Sequence, residues 1–116
     1  MTIQDVAKEF TALCSAGKMR EAGIKYWAED VTSIEPMGEP LVTKGKTNVG
    51  KKGESWYAEN KVESAKLEGP WVHGDQFVVL FDLAFTPKGQ DTIKVKEVGV
   101  YTVKNDKITE ERFFFA

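Results

Sequence analysis

The sequence holds one cysteine, Cys14, and one histidine, His73, in 116 residues. A single cysteine excludes an internal disulfide and fits a reducing compartment. One cysteine and one histidine also leave little for a Cys/His metal site or for Ser-His-Asp and Cys-His catalysis. Excess positive charge is missing too: 16 Lys and Arg stand against 18 Asp and Glu, a net charge of -2. That argues against a nucleic-acid surface, which needs a basic patch. The one local basic cluster, Lys44 to Lys52, is diluted by glycines and lacks aromatics. It reads as a solvated helix face. No apolar run approaches membrane-spanning length, and the amino terminus lacks the charged start and apolar middle of a signal peptide. The expectation is a cytoplasmic protein with neither a membrane nor a nucleic-acid partner.

What is present is the composition of an ordered domain, 41% hydrophobic and 29% charged. The length suits one domain, residues 1–116, with one core. Thr2 and Asp5 have capping-box spacing ahead of Val6, Phe10, Leu13 and Cys14, which share a helical face. Cys14 is expected as a small buried apolar residue. Gly17 ends that helix. A second helix is expected from Lys18 to Ala28, with Met19, Gly23, Tyr26 and Trp27 on one face. A third, weaker one is expected from Thr47 to Asn60, with Val49, Gly53, Trp56 and Tyr57 together. Gly50 and Gly53 each cost that helix about 1 kcal/mol against alanine.

From Lys61 onward the period changes to that of strands. Val62 to Val72 reads as a strand bent at Gly69-Pro70. His73 to Gln76 is a turn, Phe77 to Thr86 the next strand, then Gln90 to Lys104, then Lys107 to Phe115. A three-residue hairpin loop with Gly89 left-handed pairs Thr86 with Gln90, and so Asp82 with Lys94 and Val79 with Glu97. One face then carries Phe77, Val79, Phe81, Leu83 and Phe85 with Ile93, Val95, Glu97, Gly99 and Tyr101. Apart from Glu97 and the Tyr101 hydroxyl that face is apolar. Glu97 there must be hydrogen-bonded by Tyr101, paired with a residue such as Arg112, protonated, or set at a pocket. The last strand has two registers. A two-residue turn sends Arg112 toward Gly99. A three-residue turn sends Glu111, Phe113 and Phe115 inward and buries more aromatic surface, so it is preferred. Phe114, Val98 and Leu80 then leave an apolar patch on the outer face, the mark of a partner surface.

The stretch Val31 to Pro40, VTSIEPMGEP, organises the rest. Val31, Ser33 and Glu35 fall on one side of a strand, and Pro36, Gly38 and Pro40 break it off. Glu35 is therefore the last strand residue. A carboxylate held there in apolar surroundings suits a general base, because desolvation raises a carboxyl toward neutrality.

Helices first and strands after define an α+β class, with helices on one face of a sheet. The whole layout resembles the nuclear transport factor 2-like superfamily, and within it SnoaL-like and ketosteroid-isomerase-like proteins. The resemblance rests on Tyr26-Trp27-Ala28-Glu29-Asp30-Val31, Ile34-Glu35-Pro36-Met37-Gly38, Gly45-Lys46-Thr47-Asn48-Val49 and Lys104-Asn105-Asp106-Lys107-Ile108, taken in order over nearly the full length. It implies a cone-shaped, cystatin-like fold: three N-terminal helices closing a strongly curved, mainly antiparallel sheet. Ketosteroid isomerases carry an acidic base followed by proline where Glu35-Pro36 falls. Their oxyanion donors are not matched, since Phe10 stands at the tyrosine position and Val98 or Gly99 at the aspartic acid position. Losing one such donor costs about 100- to 1000-fold in rate. True steroid isomerase activity is therefore not expected.

Two functions follow. The first is a cofactor-independent isomerase, cyclase or hydratase acting on a small apolar carbonyl compound, with no metal. Glu35 is its base, and Glu97 or Tyr101 donates to the oxyanion. Trp27, Trp56, Tyr57, Phe81, Tyr101 and Phe115 line its pocket. The second is a non-catalytic ligand-binding or dimerisation module. In either case the resemblance implies a homodimer through the outer sheet face.

Overall fold

The computed structural model describes residues 1–116. Two helices, α1 (Ile3–Ser15) and α2 (Met19–Tyr26), lead into strand β1 (Trp27–Ile34). A short strand β2 (Val42–Lys44), helix α3 (Lys46–Glu59) and four long strands follow: β3 (Asn60–His73), β4 (Gln76–Pro87), β5 (Ile93–Lys104) and β6 (Lys107–Phe115). They form one six-stranded sheet in the order β2-β1-β6-β5-β4-β3. β1 runs parallel to β6, and every other pair is antiparallel. The α+β cone is the architecture expected, with the helices at the amino-terminal side of the chain.

Local chemistry explains most boundaries. The Thr2 hydroxyl accepts from the Asp5 N–H while the Asp5 carboxylate accepts from the Thr2 N–H, so α1 starts on a full capping box. Gly17, at φ 78°, ends it. α2 stops two residues short of the expected Ala28. Trp27 is already extended and pairs with Ile108, so sheet formation overrides the helical pattern there. The Glu35 N–H donates to the Leu41 carbonyl at 2.8 Å, closing the Pro36–Pro40 loop. That closure creates β2, which the sequence reading missed because its three residues are too short to show a period.

Two registers differ from expectation. β4 pairs with β5 so that Phe81 faces Glu97, Asp82 faces Lys96 and Val79 faces Gly99. The shift is two residues, so each side chain keeps its face, but the Asp82–Lys94 pair does not form. The loop is longer than three residues: Thr86 and Thr92 join hydroxyls at 2.7 Å, and the Lys88 N–H is tied to the Glu59 carbonyl at the end of α3. At the β5–β6 turn both Asn105 and Asp106 have positive φ, a two-residue turn. A bulge at Thr109 then moves the register by one, setting Glu111 opposite Tyr101 and Phe113 opposite Gly99. The inward set is thus the preferred one, reached by a turn and a bulge instead of a longer turn.

The core lies between α1, α2 and the concave sheet face. Tyr101 stacks on Phe77 with ring centroids 4.8 Å apart, and Phe10 of α1 meets Tyr101 at 4.9 Å. Phe113 closes edge-on against both Tyr101 and Phe81. Burying each large side chain such as Phe77 or Ile108 contributes about 1.5–3 kcal/mol. These rings fill the space between α1 and the sheet. Cys14 is buried beside them, and burial pushes its thiol up to about 12, so it stays an inert thiol. α3 is different: Val49 is its one buried residue, and Trp56 and Tyr57 stay partly exposed.

Candidate functional site

β1 positions the first part of the site by simple alternation. Val31 and Ser33 point fully inward, and Glu35, next on that side, emerges at the rim where the loop begins. From α3, Lys52 reaches across. Its ammonium donates to Glu35 Oε1 at 2.7 Å and to Ser33 Oγ at 2.8 Å. From β6, the buried Glu111 completes a chain. Its carboxylate accepts from Ser33 Oγ at 2.9 Å and from Trp27 Nε1 at 2.8 Å. Five side chains, from β1, the residue just after it, β6 and α3, thus form one polar network, Glu35–Lys52–Ser33–Glu111–Trp27.

Glycines make the room it needs. The indole of Trp27 lies where a side chain at Gly23 would stand: a Cβ there would come 2.5 Å from the ring. The Tyr101 phenol lies over Gly99 in the same way, with its oxygen 3.0 Å from where a Cβ would sit.

Burial dominates the electrostatics. It pushes the Glu111 carboxyl up, while the bonds from Trp27 and Ser33 and the nearby Lys52 charge pull it down without offsetting the burial. Burial also raises Glu97, and the charge of Glu35 adds to that. Glu97 accepts no hydrogen bond from Tyr101 or Arg112. Arg112 faces Val100 on the other side of the sheet and is exposed. Burial holds the Tyr101 hydroxyl well above its ordinary range, so it remains a neutral phenol. Glu35, Glu97 and Glu111 do not draw together with other ligands into a group able to hold a metal ion.

The expected site residues therefore occupy distinct places. Glu35 is half-buried at the rim, paired with Lys52. Glu97 is half-buried between Phe81 and Phe115, its neighbours on the flanking strands. Tyr101 and Phe81 are packed in the core. Trp56 meets Tyr57 and Phe85 edge-on and is partly exposed, and Phe115 is half exposed at the end of β6. Trp27 is a hydrogen-bond donor to Glu111 as well as an aromatic wall. A separate cleft of about 430 Å³ lies at the start of β1, lined by Glu29, Asp30, Lys46, Lys104 and Lys107 among others, and shares only Trp27 with the network.

Sequence reasoning missed Ser33, Lys52 and Glu111 as site members. Lys52 was read as part of a solvated face, yet its side chain is only 26% exposed. The signals were present: Ser33 alternates with Val31 and Glu35, Glu111 belongs to the preferred inward set, and Lys52 lies three residues beyond Val49 on the inner side of α3.

Three helices on a curved, mainly antiparallel six-stranded sheet, with a polar network running from β1 to β6, define the class of cone-shaped α+β domains. Residues 1–115 match the family model for the SnoaL-like domain, and the chain belongs to that family. A crystal structure from Mesorhizobium loti, of a protein described as a SnoaL-like polyketide cyclase and also as a carbohydrate phosphatase, shares 44% identity at a TM-score of 0.96. The match covers 98% of this chain and 99% of that one. A nuclear transport factor 2-like protein from Burkholderia xenovorans matches at 19% identity and TM-score 0.74, over 97% of this chain and 87% of its own. A Xanthomonas campestris protein of unknown function with a cystatin-like fold matches at 20% identity and TM-score 0.80, over 100% and 92%. The last two show the fold alone. A search of the curated proteins finds no match.

Proposed function

We propose that this chain is a cofactor-independent proton-transfer enzyme for a small, mainly apolar carbonyl compound, catalysing an isomerisation, cyclisation or hydration. The observation that carries the reading is Glu97: a half-buried carboxylate with no protein partner, between aromatic side chains of the flanking strands. Such a group is raised toward the range where a base works, and its oxygens are free to take a proton. Glu35 was the expected base, but its carboxylate is engaged by Lys52. The geometry favours exchanging the roles, with Glu97 as the base and Glu35 holding Lys52 in place. Trp56, Tyr57 and Phe115 would receive the apolar body of the ligand, and Tyr101 forms the floor. The polyketide-cyclase description of the Mesorhizobium loti protein supports the same class of carbonyl chemistry. The test is deuterium incorporation from heavy water into a panel of cyclic ketones and β-diketones, followed by proton NMR. Exchange well above the buffer rate for at least one compound is expected. Buffer-rate exchange for all of them would overturn the enzyme reading and leave a non-catalytic binding module.

A second reading concerns assembly and is independent of the first. On the outer face, Leu80, Val98 and Phe114 sit opposite one another in a row across β4, β5 and β6, next to Val78 opposite Val100. Trp71, facing Val78 from β3, is 55% exposed. We propose that a second copy of the chain covers this apolar row, giving a homodimer with both cone mouths free. Sedimentation of the wild type should give twice the chain mass and Phe114→Glu the single chain. A monomeric wild type at tens of micromolar would refute it.

A further inference from the structure

We propose that Lys52 is the group that takes the negative charge developing on the substrate oxygen, so that the site binds the enolate form of a carbonyl compound. The inference rests on the proton-transfer reading above and supplies the oxyanion partner that Phe10 and Gly99 do not. An ammonium has three N–H donors. Two of those of Lys52 are fixed, one on Glu35 Oε1 and one on Ser33 Oγ. The third has no protein partner. Ser33 is itself fixed, because its own hydrogen goes to Glu111. Glu111 is held in turn by Trp27, whose indole is seated by Gly23. The chain of contacts therefore aims a cation from a buried base toward a half-open rim, since the Lys52 side chain is 26% exposed. The unpartnered Glu97 lies close enough to Glu35, the carboxylate that Lys52 holds, for the two charges to interact.

This pairing balances the proton transfer. Glu97 takes a proton from the carbon next to a carbonyl, and the C–H electron pair moves into the new C=C bond. The carbonyl π electrons move onto oxygen, and the charge there is met by the free N–H of Lys52. The proton on Glu97 then returns to the same or another carbon, and no external oxidant or reductant is needed. A preorganised cation facing an oxyanion forms a charge-assisted hydrogen bond of the strong kind, in a site partly shielded from water.

The test uses 4-nitrophenol as the enolate mimic, because its phenolate absorbs in the visible. Added to the wild type at a pH where the free phenol is mostly neutral, it should show a rise in phenolate absorbance together with quenching of tryptophan fluorescence. Lys52→Met should lower the ionisation constant of the bound phenol at least about tenfold, the scale of one lost charge-assisted contact. Lys52→Arg keeps the charge and serves as the variant certain to retain the cation. It should preserve most of the phenolate signal, and its NMR spectrum identifies the Lys52 side-chain resonance, which should shift on phenol binding to the wild type. Ionisation equal in wild type and Lys52→Met overturns the proposal, as does an unmoved Lys52 resonance or a phenol bound only in its neutral form. Those results leave the proton-transfer reading to the deuterium exchange. Absent exchange with an intact phenolate signal would instead sink catalysis while keeping Lys52 as an anion-binding group.

Discussion

At the residue scale, the site concentrates more acid than its one cation neutralises. Glu111 is shielded inside and bonded by two donors, whereas Glu97 has neither advantage. A carboxyl raised on folding carries a cost once it ionises. That cost is absent below the unfolded value of 4.5, grows as pH rises through the folded-state titration, and is fully present above it. Glu97→Gln should therefore be more thermally stable than the wild type at pH 7, with the gain shrinking toward zero at pH 4. Thermal melts across that range check it, and a gain that grows on acidification would contradict it. Glu35 and Glu97 were legible as candidates from their places in the strands. That Lys52 pairs with Glu35 was not, because nothing in a sequence tells which of several lysines on one helix reaches a strand end.

At the scale of elements, the site depends on two close approaches. α2 and β1 are joined without a linker, and Trp27 folds back over Gly23 of the preceding helix turn. Alanine at Gly23 is helix-compatible and would stabilise an exposed helix, yet its Cβ would stand 2.5 Å from the indole ring. We expect Gly23→Ala to destabilise the fold by about 1–3 kcal/mol through overpacking and to displace the Trp27 donor from Glu111. Denaturant unfolding with tryptophan fluorescence reads both effects, and a variant as stable as wild type with an unchanged spectrum would refute the packing argument. The same scale shows why the hairpins were only half readable. The side-chain period identifies which face a residue takes, so the inward rows of β4 and β5 agree with the structure, whereas the row of β6 is preferred between two registers for the aromatic surface it buries. Register along the strands depends on turn length and on the Thr109 bulge, which leave no periodic trace.

At the scale of the whole molecule, the chain separates an aromatic core from a loosely packed third helix. Phe10, Phe77, Tyr101 and Phe113 fill that core and supply stability. α3 buries little beyond Val49, and its Trp56 and Tyr57 stay partly exposed, packed against Phe85 and against each other. The α+β cone was readable from element order and a few ordered motifs, because topology is set by many weak signals that agree. The pairing within the polar network was not, because it depends on which carboxylate Lys52 reaches in three dimensions. No helix is long and apolar enough to cross a membrane. The central claim is that Glu97, free of partners, moves the proton while Glu35 holds Lys52. Its most direct test compares deuterium exchange into the best ketone by the wild type, Glu97→Gln and Glu35→Gln. The account predicts a loss of about 100-fold or more for Glu97→Gln, the usual contribution of a positioned base, and a smaller loss for Glu35→Gln. The reverse order would return the base to Glu35 and contradict the assignment.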